Sequence, residues 1–418
     1  MLRGMVTVAA AVAVIAAVAV APSASAGPAR PARPARPAGP ARPAGPARPG
    51  GACDGRWHIQ PSAPVPPKQS GQEDLDELNA VVAISPANQW AVGSWEQYPN
   101  AYTFHTLVEH SAGSRWTHTP SPNLASPADS SLYGIAAITA KDVWAVGGPT
   151  VVQPYHGLVE HWNGASWSIA GGASFPGVLY GVAAAGPKDI WAVGTLNFPG
   201  PGLIEHWDGR SWAATRLPFN GWLRSVTAIA HNDVWAVGLR WAANGAESPL
   251  TMHFNGRSWA QVPSPKLLPG RPEDQAWLVS VSGAGAHDVW AAGWYGDVAV
   301  GPRPRTLIEH WNGARWAVIP SPNPGADPNG NALWGIAAVS PHDAWAVGSI
   351  GGTIDPYPTT KPLIAHWNGA AWSRVPAPGT GQLLGVAAQR SGRGITAAGV
   401  STASPAYLAP LTEHRCAG

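Results

Sequence analysis

The sequence shows no helical periodicity, few charged residues and little phenylalanine. Only 12% of its 418 residues are charged, and 5 Phe stand against 23 Trp, 49 Gly and 44 Pro. So much Gly and Pro disfavours long helices and favours short strands joined by many turns. Neither a nucleophile elbow nor a phosphate-binding loop is present, so two common enzyme signatures are missing.

Acidic residues and lysine are absent from the first 50 positions. Arg3, an apolar run over 6–20 and the small residues Ala24, Ser25 and Ala26 predict an export signal over residues 1–26. A membrane anchor is the alternative, but about fifteen apolar residues are too few for a bilayer core of about 30 Å, and no other stretch is a candidate span. We expect the mature chain to be secreted, extracellular or associated with the cell wall, with no membrane span.

Residues 27–52 consist of repeated Pro, Ala, Gly and Arg and contain no hydrophobic residue larger than Ala. This composition predicts a disordered, extended linker, because it cannot bury enough apolar surface to fold. Its arginines could contact an anionic cell envelope, and a merely solvated linker is the alternative. All charges of the first 50 residues are arginines, six in number, so the remainder carries a formal charge of −4. A weakly acidic domain is a poor candidate for binding nucleic acid.

One tetrapeptide recurs through the rest of the chain. Trp-Ala-Val-Gly occurs at 90–93, 144–147, 191–194, 235–238 and 345–348, with variants at 290–293 and 396–399. Seven copies spaced 44 to 55 residues apart have the period of β-propeller blades.

Each copy is predicted to contain four strands, A to D, as the copy at 333–376 illustrates. Strand A is expected at 333–339, strand B at 344–348, strand C at 362–367 and strand D at 372–376. Asn368 and Gly369 form the turn between C and D, because both residue types accept positive φ. The sequence therefore predicts an all-β fold, a seven-bladed β-propeller of four-stranded antiparallel blades over residues 53–418.

The two ends of this region complement each other. The last copy stops after strand C at Cys416, and residues 53–59 contain a turn and a strand D with no blade before them. Pairing of the N-terminal strand D with the C-terminal strand C would close the ring. Both cysteines then fall at the same turn, which predicts a Cys53–Cys416 disulfide in an oxidising compartment, with two free thiols as the alternative.

The repeat resembles the bacterial neuraminidase (Asp-box) repeats and those of photosystem II assembly-factor-like and kelch-like propellers. There a strand bearing Trp and Gly precedes an Asp-Gly turn and a further Trp. The segments 208–212 (Asp-Gly-Arg-Ser-Trp) and 255–259 (Asn-Gly-Arg-Ser-Trp) look like degenerate Asp boxes. The resemblance implies the fold and no particular activity, since such repeats serve hydrolases, assembly factors and binding proteins.

Three polar positions recur in the repeat and are predicted to be structural. A His occupies one strand C position in all seven copies, an acidic residue often precedes it, and an Asp often precedes strand B. Equivalent positions lie far apart around a ring, so the histidines do not predict a metal array.

Six of the 23 Trp, and all the Tyr, fall outside the repeat positions. They follow strand B or lie before or at the start of strand A, in predicted loops of 8 to 13 residues on one face around the central mouth. The predicted ligand-binding residues are Trp95, Tyr133, Tyr180, Trp222, Arg224, Trp241, Trp277, Trp294 and Trp334. The alternative is that these rings simply fold onto the scaffold.

A secreted, monomeric, non-enzymatic binding protein that recognises a glycan or an extended peptide is the leading hypothesis. The alternatives are a polysaccharide-active hydrolase or lyase at the channel mouth, and a protein-interaction scaffold. No catalytic residue, cofactor or metal site is predicted, because no pair of carboxylates stands out. The acidic segment 73–77 could bind Ca²⁺, and a solvated acidic loop is the alternative.

Overall fold

The chain forms a closed ring of β-sheets in the computed structural model, with no helix among the described residues. These residues are 54–62, 76–96, 103–113, 115–124, 129–149, 156–170, 177–243, 245–267, 276–296, 304–324, 330–351, 360–389, 391–392, 394–404 and 407–416. The predicted signal peptide, the linker and most of the acidic segment 73–77 lie outside them and stay predictions. Across the described ranges, no helix has the length and apolarity that crossing a bilayer requires.

The strands build seven blades, each with its innermost strand A nearest the axis. Blade 1 is β2 (Glu77–Ser85), β3 (Asn88–Glu96), β4 (Phe104–Ser111) and β5 (Trp116–His118); blade 2 is β6 (Ser131–Thr139), β7 (Asp142–Gly148), β8 (Leu158–Trp162) and β9 (Trp167–Ile169); blade 3 is β10 (Val178–Gly186), β11 (Asp189–Thr195), β12 (Pro201–Trp207) and the first half of β13 (Trp212–Ala230). Blade 4 is the second half of β13, β14 (Asp233–Trp241), β15 (Glu247–Phe254) and β16 (Trp259–Gln261); blade 5 is β17 (Ala276–Gly285), β18 (Asp288–Tyr295), β19 (Arg305–Trp311) and β20 (Trp316–Val318); blade 6 is β21 (Asn331–Ser340), β22 (Asp343–Ile350), β23 (Lys361–Trp367) and β24 (Trp372–Val375). Blade 7 is β25 (Gln382–Ala388), β26 (Gly394–Ser404), β27 (Tyr407–Cys416) and β1 (Trp57–Ile59). The predicted seven-bladed all-β propeller is confirmed.

Blades 3 and 4 differ from the predicted pattern, because one strand joins them. β13 begins as strand D of blade 3, with Trp212 paired to Trp207, and continues as strand A of blade 4, with Leu223 paired to Gly238. The connecting residues remain extended instead of forming a loop. The two blades therefore form a single seven-stranded sheet.

The ring closes as the ends of the sequence predict. Trp57 pairs with Arg415 and Ile59 with Glu413, which places β1 beside β27 as the fourth strand of blade 7. The Arg415 guanidinium also donates from Nε to the Gly55 carbonyl oxygen at 2.7 Å. Cys53 and the side chain of Cys416 lie outside the described residues, so their disulfide stays a prediction.

The hydrophobic core lies in layers between neighbouring blades. One cluster joins Trp191, Val193 and Ile204 of blade 3 to Leu223 and Ala236 of blade 4, all at most 4% exposed. Strand B is apolar on both faces because each blade is covered on both sides by its neighbours. This explains why Trp, Ala and Val recur together in the repeat.

The recurrent His and Asp form a hydrogen bond within each of blades 2 to 6, as their structural assignment predicted; in blade 1 the His bonds to Asn88 and in blade 7 to Thr396. In blade 4, the Asp233 carboxylate accepts from Trp235 Nε1 at 3.0 Å and from His253 Nε2 at 2.9 Å. The Trp235 and His253 rings stack with centroids 4.2 Å apart. Such a unit ties the start of strand B to strand C.

Candidate ligand-binding site at the propeller axis

Every innermost strand carries a β-bulge at the same place, near its start. In β13, Leu223 pairs with Gly238 and Ser225 with Val237, so Arg224 has no partner in strand B. A bulge re-aims the extra side chain. The seven residues at this position, in ring order, are Asn79, Tyr133, Tyr180, Arg224, Val279, Trp334 and Leu384; we call them the bulge ring.

The last residue of the repeat tetrapeptide makes this bulge possible. A Cβ added at Gly238 would overlap the Trp222 carbonyl oxygen and approach Leu223 Cα to 2.9 Å. The equivalent glycines of the other six copies meet the same backbone overlap. The conserved-looking Gly of each copy is therefore explained by the close approach of strand A to strand B.

The bulge ring surrounds a cavity of about 240 Å³ on the propeller axis. Below it lies a ring of small residues, among them Gly134, Gly181 and Ser225, and below that a ring of Val and Ile, including Val226 and Ile336. The lining ends at this apolar ring, five of whose seven members are at most 8% exposed. The cavity is thus a short pocket with a mixed rim and an apolar floor.

Small residues in the middle ring follow from the crowding of inner strands. A Cβ on Gly181 would lie 2.8 Å from Ser225 Cα in the next blade, closer than real side chains approach. Where Ser replaces Gly, its hydroxyl links neighbouring strands: Ser225 Oγ accepts from Val281 N at 3.2 Å, and Ser280 Oγ accepts from Ile336 N at 3.1 Å. The walls are therefore rigid backbone with little side-chain bulk.

Four of the predicted ligand-binding residues line the cavity: Tyr133, Tyr180, Arg224 and Trp334. The Tyr133 and Tyr180 rings are in contact, with centroids 5.0 Å apart. Trp334 Nε1 donates to Ser349 Oγ at 3.1 Å, so its N–H is satisfied within blade 6.

Three further predicted residues continue the line of rings from Tyr180 into blades 4 and 5. Trp222 lies 5.0 Å from Tyr180 and 5.7 Å from Trp277, which lies 5.1 Å from Trp294. Trp222 and Trp294 are each only 3% exposed. These two rings are therefore buried behind the rim, as the scaffold alternative expected, and support their neighbours.

Trp241 packs away from the cavity lining against a residue that the sequence analysis did not single out. Phe198 meets Trp241 edge to face at 4.9 Å and Trp222 at 5.4 Å. Both oxygens of Glu247 are occupied by indoles, since Trp241 Nε1 donates to one at 3.2 Å and Trp277 Nε1 to the other at 2.6 Å. Glu247 thus fixes two rings across the boundary between blades 4 and 5.

Trp95 is not joined to this group. Its ring stacks on His105 within blade 1, at a centroid distance of 4.7 Å. The predicted long loops are also wrong for five of the six Trp residues outside the repeat, because these five lie within strands that extend further than expected, whereas Trp334 lies in strand A at the place predicted for it.

Sequence reasoning missed three members of the bulge ring: Asn79, Val279 and Leu384. Their residue types do not suggest a binding site, but their spacing in the sequence could have identified them as equivalent positions. Six of the seven bulge residues lie eleven positions before the strand B Trp, as Arg224 does before Trp235. Alignment of the copies on that Trp would have grouped them.

Arg224 is the only charged residue that the described part of the chain contributes to the cavity lining. Its guanidinium carbon lies 4.5 Å from the Trp222 ring centroid and 4.9 Å from that of Tyr180. Burial lowers the pKa of this guanidinium, although arginine stays protonated at physiological pH. No carboxylate of the described residues forms an ion pair with it.

The described lining contains neither Asp nor Glu, and no group of three His, Cys, Asp or Glu able to hold a metal ion occurs in the described ranges. What the arrangement offers is one cation, two phenol-bearing rings, one indole and several aliphatic side chains around a small pocket. Such a set can bind and orient a ligand.

No protein-family model and no curated protein matches the chain. Among solved structures, the WD40 repeats of RRP9 match with 9% identity and a TM-score of 0.52, over 82% of this chain and 90% of that one. YCF48 from Cyanidioschyzon merolae matches with 13% identity and a TM-score of 0.49, over 86% and 98%. A GH74 xyloglucanase from Xanthomonas campestris matches with 12% identity and a TM-score of 0.46, over 85% and 55%. The likeness to the RRP9 repeats agrees with the propeller fold and extends no further than the fold.

Proposed function

We propose that this chain is an exported, non-enzymatic binding protein that recognises the end of a glycan or of an extended peptide at the axial cavity. The observation that carries the proposal is the bulge ring. Seven equivalent positions face the axis, and they hold Tyr, Tyr, Arg and Trp beside Asn, Val and Leu. Loops and bulges on a rigid scaffold are where proteins place variable recognition chemistry.

The rim is supported as a binding site would need. Tyr180 and Arg224 contact each other and Trp222, and Trp222 is itself buried against Phe198 and Trp277. Side chains held in this way lose little conformational entropy when a ligand binds. Aromatic rings in such a pocket suit apolar sugar faces and peptide side chains.

A polysaccharide-active enzyme at the same mouth is less well supported. Glycoside hydrolysis generally uses two carboxylates about 5 to 10 Å apart. The described lining offers none, and both oxygens of Glu247 accept hydrogen bonds from indoles. We therefore propose both that the protein is exported and that it is not an enzyme.

The test is binding of the mature protein to a glycan array and to a peptide library, comparing wild type with Tyr180→Ala and Trp334→Ala. Trp95→Ala is the matched control, because Trp95 is also outside the repeat but does not line the cavity. We expect both cavity variants to lose at least about tenfold in affinity for the ligand that wild type binds, a loss of about 1.4 kcal/mol. Equal binding by all four proteins would refute the proposed site.

A further inference from the structure

Arg224 presents hydrogen-bond donors to the axial cavity. A guanidinium carries five N–H groups; that of Arg224 lies over the faces of Trp222 and Tyr180, and the side chains of Tyr180 and Tyr133 also interact with it electrostatically. Ring faces attract the charge but supply no acceptor oxygen. No described carboxylate pairs with this partly buried cation, so solvent or a bound anion has to compensate its charge. The cavity is therefore suited to an anionic group.

The described lining favours an anion with a single charge. Arg224 is the one cation among the described lining residues, and its planar fork matches the two oxygens of a carboxylate. A phosphate dianion would leave a second charge uncompensated in a pocket with an apolar floor. A carboxylate is the better match.

The rim has two unlike halves around the carboxylate position. Tyr133 and Tyr180 precede Arg224 in ring order, whereas Val279, Trp334 and Leu384 follow it. Because the Trp334 N–H is already donated to Ser349, this second half offers the ligand apolar surface only. A ligand that fills the cavity should carry an apolar group next to its carboxylate.

The size of the cavity favours an end group as the ligand. Its volume of about 240 Å³ is below the range of about 300 to 1,000 Å³ typical of small-molecule pockets. The ring of Val and Ile forms the far end of the described lining, and the middle ring of Gly, Ala and Ser provides room beside it. A volume of this size suits one terminal residue better than a length of chain.

We propose that the axial cavity captures the C-terminal residue of a peptide, with the terminal carboxylate on Arg224 and an apolar side chain against Val279, Trp334 and Leu384. This inference rests on the proposed binding function and names its ligand. A peptide C-terminus carries a carboxylate and a side chain on the same carbon, which is the juxtaposition that the two halves of the rim require.

An acidic sugar fits the rim less well. The hydroxyl groups of a sugar surround its ring and need hydrogen-bond partners on several sides. The half of the rim formed by Val279, Trp334 and Leu384 offers none, and unmade hydrogen bonds reduce affinity. Acidic sugars are accordingly a separate arm of the experiment.

The experiment measures dissociation constants with pooled acetylated hexapeptides that end in Val, Leu or Phe. One pool has free carboxylates and a second has C-terminal amides; oligogalacturonate and N-acetyl-leucine are tested beside them. The variants are Arg224→Met and Arg224→Lys. Arg240→Met is the matched control, because Arg240 also stacks on a ring, Phe219 at 4.3 Å, but donates to Gln261 and does not line the cavity.

We expect wild type to bind the free-acid pool at least about tenfold more tightly than the amide pool, as a charge-assisted bidentate contact implies. Arg224→Met should abolish this preference, Arg224→Lys should retain part of it, and Arg240→Met should leave it unchanged. The comparison of acid with amide on wild type decides the matter even if a variant fails to fold.

Several outcomes would overturn the inference. They are equal affinity for the two pools, no binding of either pool, or binding of oligogalacturonate in preference to free-acid peptides. Binding of N-acetyl-leucine that Arg224→Met weakens supports the inference, because this compound carries the same carboxylate and side chain as the peptide terminus. If acid and amide bind equally while Tyr180→Ala and Trp334→Ala weaken both, the proposed binding function stands and only the carboxylate anchor falls.

Discussion

Replacing Glu160 with Gln should stabilise the propeller at alkaline pH and leave its stability at pH 5 nearly unchanged. Glu160 lies in strand C of blade 2, is fully buried, and neither of its carboxyl oxygens has a hydrogen-bond partner among the described residues. Burial raises the pKa of this carboxyl from 4.5 to about 8. The folded chain therefore holds a proton that the unfolded chain releases.

The sign follows from proton linkage. Below pH 4.5 the Glu160 carboxyl is protonated in both the folded and the unfolded state, so its ionisation does not lower the free energy of unfolding. Between pH 4.5 and about 8 only the unfolded state ionises, so each pH unit lowers the free energy of unfolding by up to about 1.4 kcal/mol. The full shift sets a ceiling of about 5 kcal/mol. We expect about 2 to 3 kcal/mol, because relaxation and water entry reduce the cost of a buried charge.

Urea unfolding of wild type and Glu160→Gln at half-unit steps from pH 5 to 8.5 measures this difference directly. Other carboxyls contribute equally to both proteins and cancel. Glu309→Gln is the matched control: Ser264 Oγ donates to Glu309 at 2.5 Å, and burial raises the pKa of that carboxyl only to about 7. Its gain should be smaller and complete at lower pH. A stability difference between wild type and Glu160→Gln that is constant across the range would refute the reasoning.

Two further predictions concern the fold that positions the cavity. Gly238→Ala should lower the free energy of unfolding by about 3 kcal/mol, because the added Cβ would overlap the Trp222 carbonyl oxygen. Gly186 has open space around it, so Gly186→Ala should change the free energy of unfolding by less than about 1 kcal/mol in the same urea denaturation assay. Trp57→Ala should lower the free energy of unfolding by about 3 kcal/mol in thermal or urea unfolding, because Trp57 is 5% exposed and its ring lies 5.7 Å from that of Trp345 in blade 6. Ile59→Ala should lower it little, because the Ile59 side chain is 51% exposed. Equal losses of stability for the two variants would contradict the ring closure.

The fold could be predicted from the sequence because each blade repeats the same physical solution. Trp-Ala-Val-Gly encodes the part of strand B that is buried on both faces, with a residue that has no Cβ at its fourth position. The unpaired strand D at Trp57 and the missing one after Cys416 then imply closure. The fusion of blades 3 and 4 was missed, since nothing in residues 212–230 separates a continuing strand from two strands joined by a turn.

The candidate site was predicted only in part, for a physical reason. Aromatic type was a sound guide at Tyr133, Tyr180 and Trp334, but not at Trp222 and Trp294, which are buried behind the rim. Residue type cannot tell a ring that faces the axis from one that lies two positions earlier. The bulge decides between them, and it is visible only when the strand register is known.

Neighbouring positions around each innermost strand have different structural constraints, which explains why the side chains of the bulge ring can vary without loss of the fold. The glycine of the tetrapeptide in strand B cannot be replaced without strain, since a Cβ would overlap strand A, and the strand A residue after the bulge must be small, as at Gly181 and Ser225. The bulge residue between them has no partner in the ladder and faces the cavity, so neither constraint reaches its side chain. Seven such positions around one axis hold Asn, two Tyr, Arg, Val, Trp and Leu, while the positions on either side stay nearly uniform. A repeat that keeps its backbone requirements but varies at one position leaves a ring of side chains that can carry recognition chemistry, as the binding function that we propose requires.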